Sequence, residues 1–217
     1  MKNRYIHRAK ISENKFKQVL QLFCLGLNAS QIADVAGINR NTINRYLTGI
    51  RDRISWFCRC QAEMYFYGHM FKDEPEFPKS ESEISFLGIA KDNGNIRSRI
   101  IPEDVGCRLH TAPGTLTMEE ENRTISRLGD VNSLIDLKRM RYIKIWSGIN
   151  DDNGRLQTVD ICDGFWGFIR GRMQNFRGLR KSTRLLHIRE CEFRYNYRRE
   201  EIFEILLEAF RKNPLFQ

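Results

Sequence analysis

Apolar positions recur at helical spacing near the start of the chain, where Phe16, Val19, Leu20, Phe23 and Leu27 fall on one face. Ser12 stands before this run as a helix N-cap, with Glu13 in the first turn where a negative charge is favoured. Gly26 and Asn28 interrupt the pattern. A shorter one follows, with Ile32 and Ala36 inward and Ser30 as the expected cap. Ala33 is small enough for two helices to cross closely, and Gly37, four residues later, can take the positive φ of a tight turn. Ile38, Ile43, Tyr46 and Leu47 then supply the apolar side of another helix. Small residue, glycine and apolar positions in this order form the helix-turn-helix pattern.

Beyond this point the periodicity changes. Glu63–Tyr67 is rich in aromatics and predicts a strand. Residues 72–83 are polar and hold two prolines, the composition of a loop. Ile84–Ala90 and Ile96–Ile101 predict two strands, and Asn93-Gly94 between them is a strong signal for a type I′ hairpin turn. With 63–67 these make three consecutive antiparallel strands. Pro102, Gly106, Pro113 and Gly114 make 102–129 irregular, with a helix expected over 117–126. Tyr142–Trp146 predicts a further strand, and Asp151-Asp152-Asn153-Gly154 a turn. Three helices are expected to close the chain, over 163–176, 183–195 and 200–211. Strands followed by helices predict a mixed α/β domain over 57–217, preceded by a helical domain over 1–56.

Charge sharpens this picture. The net charge of +9 on 217 residues is unevenly spread: residues 1–60 carry +8, 61–165 carry −5, 166–199 carry +8 and 200–217 carry −2. Two basic blocks flank an acidic centre. Basic blocks bind phosphate backbones by releasing counterions, and a carboxylate-rich centre offers oxygen ligands to divalent cations. On the exposed side of the helix after Gly37 stand Arg40, Asn41, Asn44 and Arg45. Arginine matches the O6/N7 edge of guanine and asparagine the N6/N7 edge of adenine, so these four are the candidate base-reading residues. Lys2, Arg4, Arg8 and Lys10 offer an arm for the backbone or minor groove. The plainer alternative is an ordinary helical hairpin with a polar face.

Other signals are negative. No apolar run reaches the roughly 18 residues of a membrane span. The first residues lead into no apolar signal region, so an intracellular protein is expected. The six cysteines, at 24, 58, 60, 107, 162 and 191, lack the usual zinc-knuckle spacing and are expected to be reduced thiols. His69, His110 and His187 have no companion at zinc-ligand spacing.

Several blocks, in order, carry a family resemblance. Ile11-Ser-Glu-Asn-Lys-Phe16 with Gly37–Tyr46, Phe165-Trp-Gly-Phe168, and His187-Ile-Arg-Glu-Cys-Glu-Phe-Arg-Tyr-Asn-Tyr-Arg198 resemble the ISXO-like insertion-sequence transposases, which are related to the eukaryotic Merlin elements. The resemblance covers residues 11–68, 84–102 and 130–212. It implies an RNase H-like nuclease fold and Mg²⁺-dependent cleavage and transfer of DNA strands at transposon ends, by two-metal displacement at phosphorus. It also implies a homodimer that bridges two ends of double-stranded DNA, with no membrane partner.

By the same resemblance the acidic triad is incomplete. Ala62 occupies the place of the first aspartate, with Glu63 beside it as a substitute only if the register slips. Asp130, in Gly129-Asp130-Val131, stands for the second acid. Asp163, three residues before Trp166, stands for the third. Asp130 and Asp163 are thus the implied metal ligands, and Glu63, Asp130 and Asp163 the implied catalytic set. The alternatives are a surface acid at Asp130 and a helix N-cap at Asp163. Glu190, Glu192, Arg194, Asn196 and Arg198 of the last block read as buried packing and hydrogen-bonding residues. Three functions follow: an impaired transposase, a non-catalytic helix-turn-helix DNA-binding protein of transposon origin, or a plain interaction domain.

Overall fold

The computed structural model of the protein describes residues 3–68, 84–110, 128, 130–145, 162–174 and 179–216. Among these lie seven α-helices and four strands: α1 (Glu13–Cys24), α2 (Ala29–Ala36), α3 (Arg40–Tyr67), β1 (Phe86–Asp92), β2 (Asn95–Ile101), α4 (Glu103–His110), β3 (Ser133–Asp136), β4 (Arg141–Lys144), α5 (Asp163–Met173), α6 (Arg184–Asn196) and α7 (Ile202–Lys212). The protein is therefore mixed α/β. No helix among the described residues is long and apolar enough to cross a membrane. The chain divides into two units, 1–56 with 197–217, and 57–196. The helix expected at 200–211, here α7, groups with the N-terminal helices rather than with the 57–217 segment in which the linear reading placed it.

In the first unit Ser12 accepts a hydrogen bond from the Lys15 N–H and starts α1, which buries Phe16, Val19, Leu20 and Phe23. The cap of α2 is Asn28, not Ser30. The Asn28 Oδ1 accepts from the N–H groups of Ser30 and Gln31 at 3.0 and 3.1 Å, and the Gln31 side chain accepts from the Asn28 N–H at 2.9 Å. This reciprocal pair satisfies donors on both sides of the helix start, which a cap at Ser30, with Ala33 three residues on, has no side chain to do. Gly37, at φ 63°, ends α2 in the left-handed conformation. α7 closes the unit, its Phe210 ring edge-on to Phe16 at 5.9 Å. The segment before α1 is built into the same core. Tyr5 and Ile6 are buried, and a short parallel bridge joins them to Leu215 through two backbone hydrogen bonds of 2.9 Å. Arg4 pairs with Glu13 at 3.2 Å. Residues 5–7 are therefore docked and Arg4 is paired with Glu13, while Arg8 and Lys10 of the expected arm are exposed.

Glu63–Tyr67 is helical, not the expected strand. Ile43, Leu47, Ile50, Ile54, Cys58 and Ala62 are all buried, at spacings of three and four, and this one continuous face carries α3 past residue 60. The aromatic run Tyr65-Phe66-Tyr67 has strand propensity, but a buried helical face outweighs it. The helix stops at Gly68, φ 70°, whose N–H returns to the Met64 carbonyl.

The second unit is built on an antiparallel sheet in the order β2-β1-β3-β4. Asn93 and Gly94, at φ 46° and 85°, make the two-residue turn between Asp92 and Asn95, as the type I′ signal predicts. The central strand β1 is covered on both faces. Leu87 and Ile89 join Ile135, Phe165, Ile169, Leu185 and Ile188 in a core under α5 and α6. Phe86 joins Ile101, Val105, Leu134 and Val131 in a second core on the side of α4. β3 has no forerunner among the sequence expectations, and β4, at 141–144, realises 142–144 of the strand expected at 142–146. α4 forms within the stretch read as irregular. The helix expected at 117–126 and the turn at 151–154 lie outside the described residues.

Candidate nucleic-acid interface

The turn between α2 and α3 fixes how α3 begins. Gly37 donates its N–H to the Ala33 carbonyl, and Asn39 Oδ1 accepts from the Asn41 N–H at 2.8 Å. With Ile43, Tyr46, Leu47 and Ile50 in the core, the opposite side of the helix must face solvent. Arg40, Asn41, Asn44 and Arg45 occupy that side and all four are exposed. Their spacing of one and four residues stacks two Asn/Arg pairs on successive turns. The guanidinium of Arg45 lies over the Phe216 ring, 4.9 Å from its centre. Two more arginines along α3 also rest on aromatic faces, Arg51 on Phe23 at 5.6 Å and Arg53 on Trp56 at 5.9 Å. Rings beneath guanidinium groups lower the entropy lost when the groups engage a partner.

The acids implied by resemblance are differently placed. Ala62 is buried in the helix-packing face of α3, and no strand exists there to present a first aspartate. Glu63 is also buried, and its carboxylate lies 3.5 Å from the Arg59 guanidinium one turn earlier. Asp130 is exposed and accepts a hydrogen bond from the Tyr65 hydroxyl. Partial burial, and then the Asp130 charge and that bond, raise the Tyr65 pKa above its usual value. Asp163 is the first residue of α5, and the N-cap position belongs to Cys162, so the capping alternative for Asp163 is corrected. Among the described residues no three His, Cys, Asp or Glu side chains come together as a metal site. A carboxylate paired with a guanidinium on its own helix does not fit a Mg²⁺ ligand set in which Glu63 takes part.

The closing block 187–198 is structural. α6 is buried continuously from Leu185 to Arg194, so its polar side chains must be paired inside the protein. Arg189 donates to the Ser98 carbonyl at 2.7 Å and to Glu192 at 3.0 Å, and the Ser98 hydroxyl also donates to Glu192. Burial pushes the Glu192 carboxyl above the usual range, against the opposing pull of Arg189. Glu190 receives Arg194 at 2.7 Å and Arg172 at 3.0 Å. Asn196 clasps Ile96, accepting from its N–H at 2.7 Å and donating to its carbonyl at 2.8 Å. The basic block at 166–199 is thus partly consumed by the fold. Arg172 and Arg184 hold Glu190 and the Leu137 and Lys138 carbonyls. Arg170, Arg180, Lys181 and Arg198 are exposed.

The Phe-Trp-Gly block forms the packing face of α5, with Phe165 edge-on to Tyr195 at 5.3 Å and Trp166 stacked on Tyr142 at 5.4 Å. The sequence reading missed the aromatic seats beneath Arg45 and Arg51, because contacts between residues far apart in the chain leave no local pattern, and it passed over the local i,i+3 pair Arg53–Trp56. No family model, curated protein or solved structure matches the chain.

Proposed function

We propose that this protein binds double-stranded DNA and reads its sequence with the first turns of α3. The observation that carries this is the joint exposure of Arg40, Asn41, Asn44 and Arg45 on one helical face, directly after the left-handed turn at Gly37. A helix-turn-helix presents its second helix to the major groove in this way. The two arginines suit guanine, the two asparagines suit adenine, and the +8 charge of residues 1–60 supplies attraction to phosphate. Titrating a fluorescent mixed-sequence duplex at increasing salt tests the reading. Affinity should fall linearly on logarithmic axes, and Arg40→Ala with Asn44→Ala should weaken it at every salt concentration. Binding that ignores salt and both substitutions would overturn it.

The residue blocks shared with ISXO-like transposases support a transposon origin for the chain, with an RNase H-like second unit and an ancestral Mg²⁺ site drawing on Asp130 and Asp163. In this reading strand cleavage is impaired, since Ala62 is a core residue and Glu63 is held by Arg59. A DNA-binding protein of transposon origin, intracellular and acting on duplex DNA as a homodimer, accommodates both halves of the reading. Mg²⁺-dependent cleavage of duplex DNA by the native chain, lost in Glu63→Gln, would contradict the impairment.

A further inference from the structure

The segment after α7 runs along the first half of α3. Leu215 is tied to residues 5–7 by the parallel bridge, and the Pro214 carbonyl accepts from Arg53 at 3.3 Å. Phe216 follows with φ 61°, a left-handed conformation that bulky side chains rarely adopt and that surrounding contacts must hold. Those contacts are on α3. The Phe216 ring lies 6.1 Å from the Tyr46 ring and presses on Gly49, where an added Cβ would stand 2.8 and 2.9 Å from its ring carbons. The Arg45 guanidinium covers the same ring at 4.9 Å. A glycine on the helix, a strained backbone and a fixed segment thus converge to place one aromatic ring under one exposed arginine of the DNA-reading face.

We infer that Phe216 is a specificity-determining positioning residue: it holds the Arg45 guanidinium in the orientation in which it meets DNA. The inference rests on the reading of α3 given above and adds to it a residue remote in sequence. An arginine free in solvent samples many rotamers, and ordering such a chain on binding opposes affinity. A guanidinium already laid on a ring keeps its planar edge available to a base or phosphate. An exposed pair of this kind has a strength that corresponds to about a two- to fivefold change in affinity.

The test is a double-mutant cycle in the full chain, read by duplex binding and by base preference. Phe216→Leu keeps an apolar side chain against Gly49 but removes the aromatic face, and Phe216→Tyr restores that face. Phe216→Leu should weaken binding about two- to fivefold and flatten the base preference that Arg45→Ala also flattens. In the double variant the second change should add little to the first. Phe216→Tyr should bind like the native chain. Proton spectra of the free protein provide a readout without DNA: ring-current shifts on the Arg45 side chain should be present in the native chain and lost in Phe216→Leu. Native binding with fully additive effects, or Arg45 shifts unchanged by Phe216→Leu, overturns the inference and leaves the function standing. Absence of salt-sensitive duplex binding by the native chain overturns the function itself, and the positioning role with it.

Discussion

A methyl group added at Gly106 of α4 would stand 2.1 to 2.7 Å from three carbons of the Phe86 ring, which is fixed in the core. Gly106→Ala should therefore lower stability by about 1–3 kcal/mol, read as a lower urea midpoint, although alanine is the better helix former. Asn28 and Ser30 make a sharper pair. Asn28→Ala removes the reciprocal cap of α2 and should cost about 1 kcal/mol, while Ser30→Ala should change the midpoint little. Equal effects would restore the cap to Ser30. Cys191 carries a pH signature. Burial, and then the neighbouring Glu190 charge, push its thiol up to about 12. The folded state thus keeps a proton that the unfolded chain releases near pH 8.5. The stability this group contributes is complete below that pH and is lost as pH rises toward 12. Cys191→Ala should lose less stability than the native chain between pH 8.5 and 11, measured by denaturant melts at each pH.

At the scale of elements, legibility followed locality. The β1–β2 hairpin was readable because Asn93-Gly94 allows almost no other turn, and α1 because Ser12 and the Phe16–Phe23 face agree. The β3–β4 hairpin was not, because its turn uses Asp136 as an acceptor for the Lys138 and Arg139 N–H groups at 2.8 and 2.9 Å and closes on Met140 with φ 54°. Neither residue is a strong turn signal by itself. α3 was cut short in the reading because Tyr65-Phe66-Tyr67 suggests a strand over a short window, whereas the helical face is visible only when 43 to 62 are taken together. α6, expected over 183–195, forms over 184–196 although a helix buried on all sides carries no amphipathic stripe. Its paired interior predicts a strong response: Glu190→Leu strands Arg172 and Arg194 and should cost about 3–5 kcal/mol. Glu208→Gln, in an exposed pair with Arg211 and Lys212 on α7, should stay within about 0.5 kcal/mol of the native value.

Taken whole, the molecule exposes Arg40, Asn41, Asn44 and Arg45 on α3 after Gly37, and spends part of the second basic block on its own interior. The exposure of these four was legible because amphipathicity alone assigns the solvent face at the start of the helix. The acidic set implied by resemblance rested on a strand at 63–67 that is the end of a helix. Nuclear magnetic resonance titration of the full chain with a mixed-sequence duplex at low salt tests the central claim most directly. Side-chain signals of Arg40, Asn41, Asn44 and Arg45 should shift first and most, and added salt should reverse the change. Shifts confined to Arg170, Arg180, Lys181 and Arg198, with α3 silent, would contradict the account.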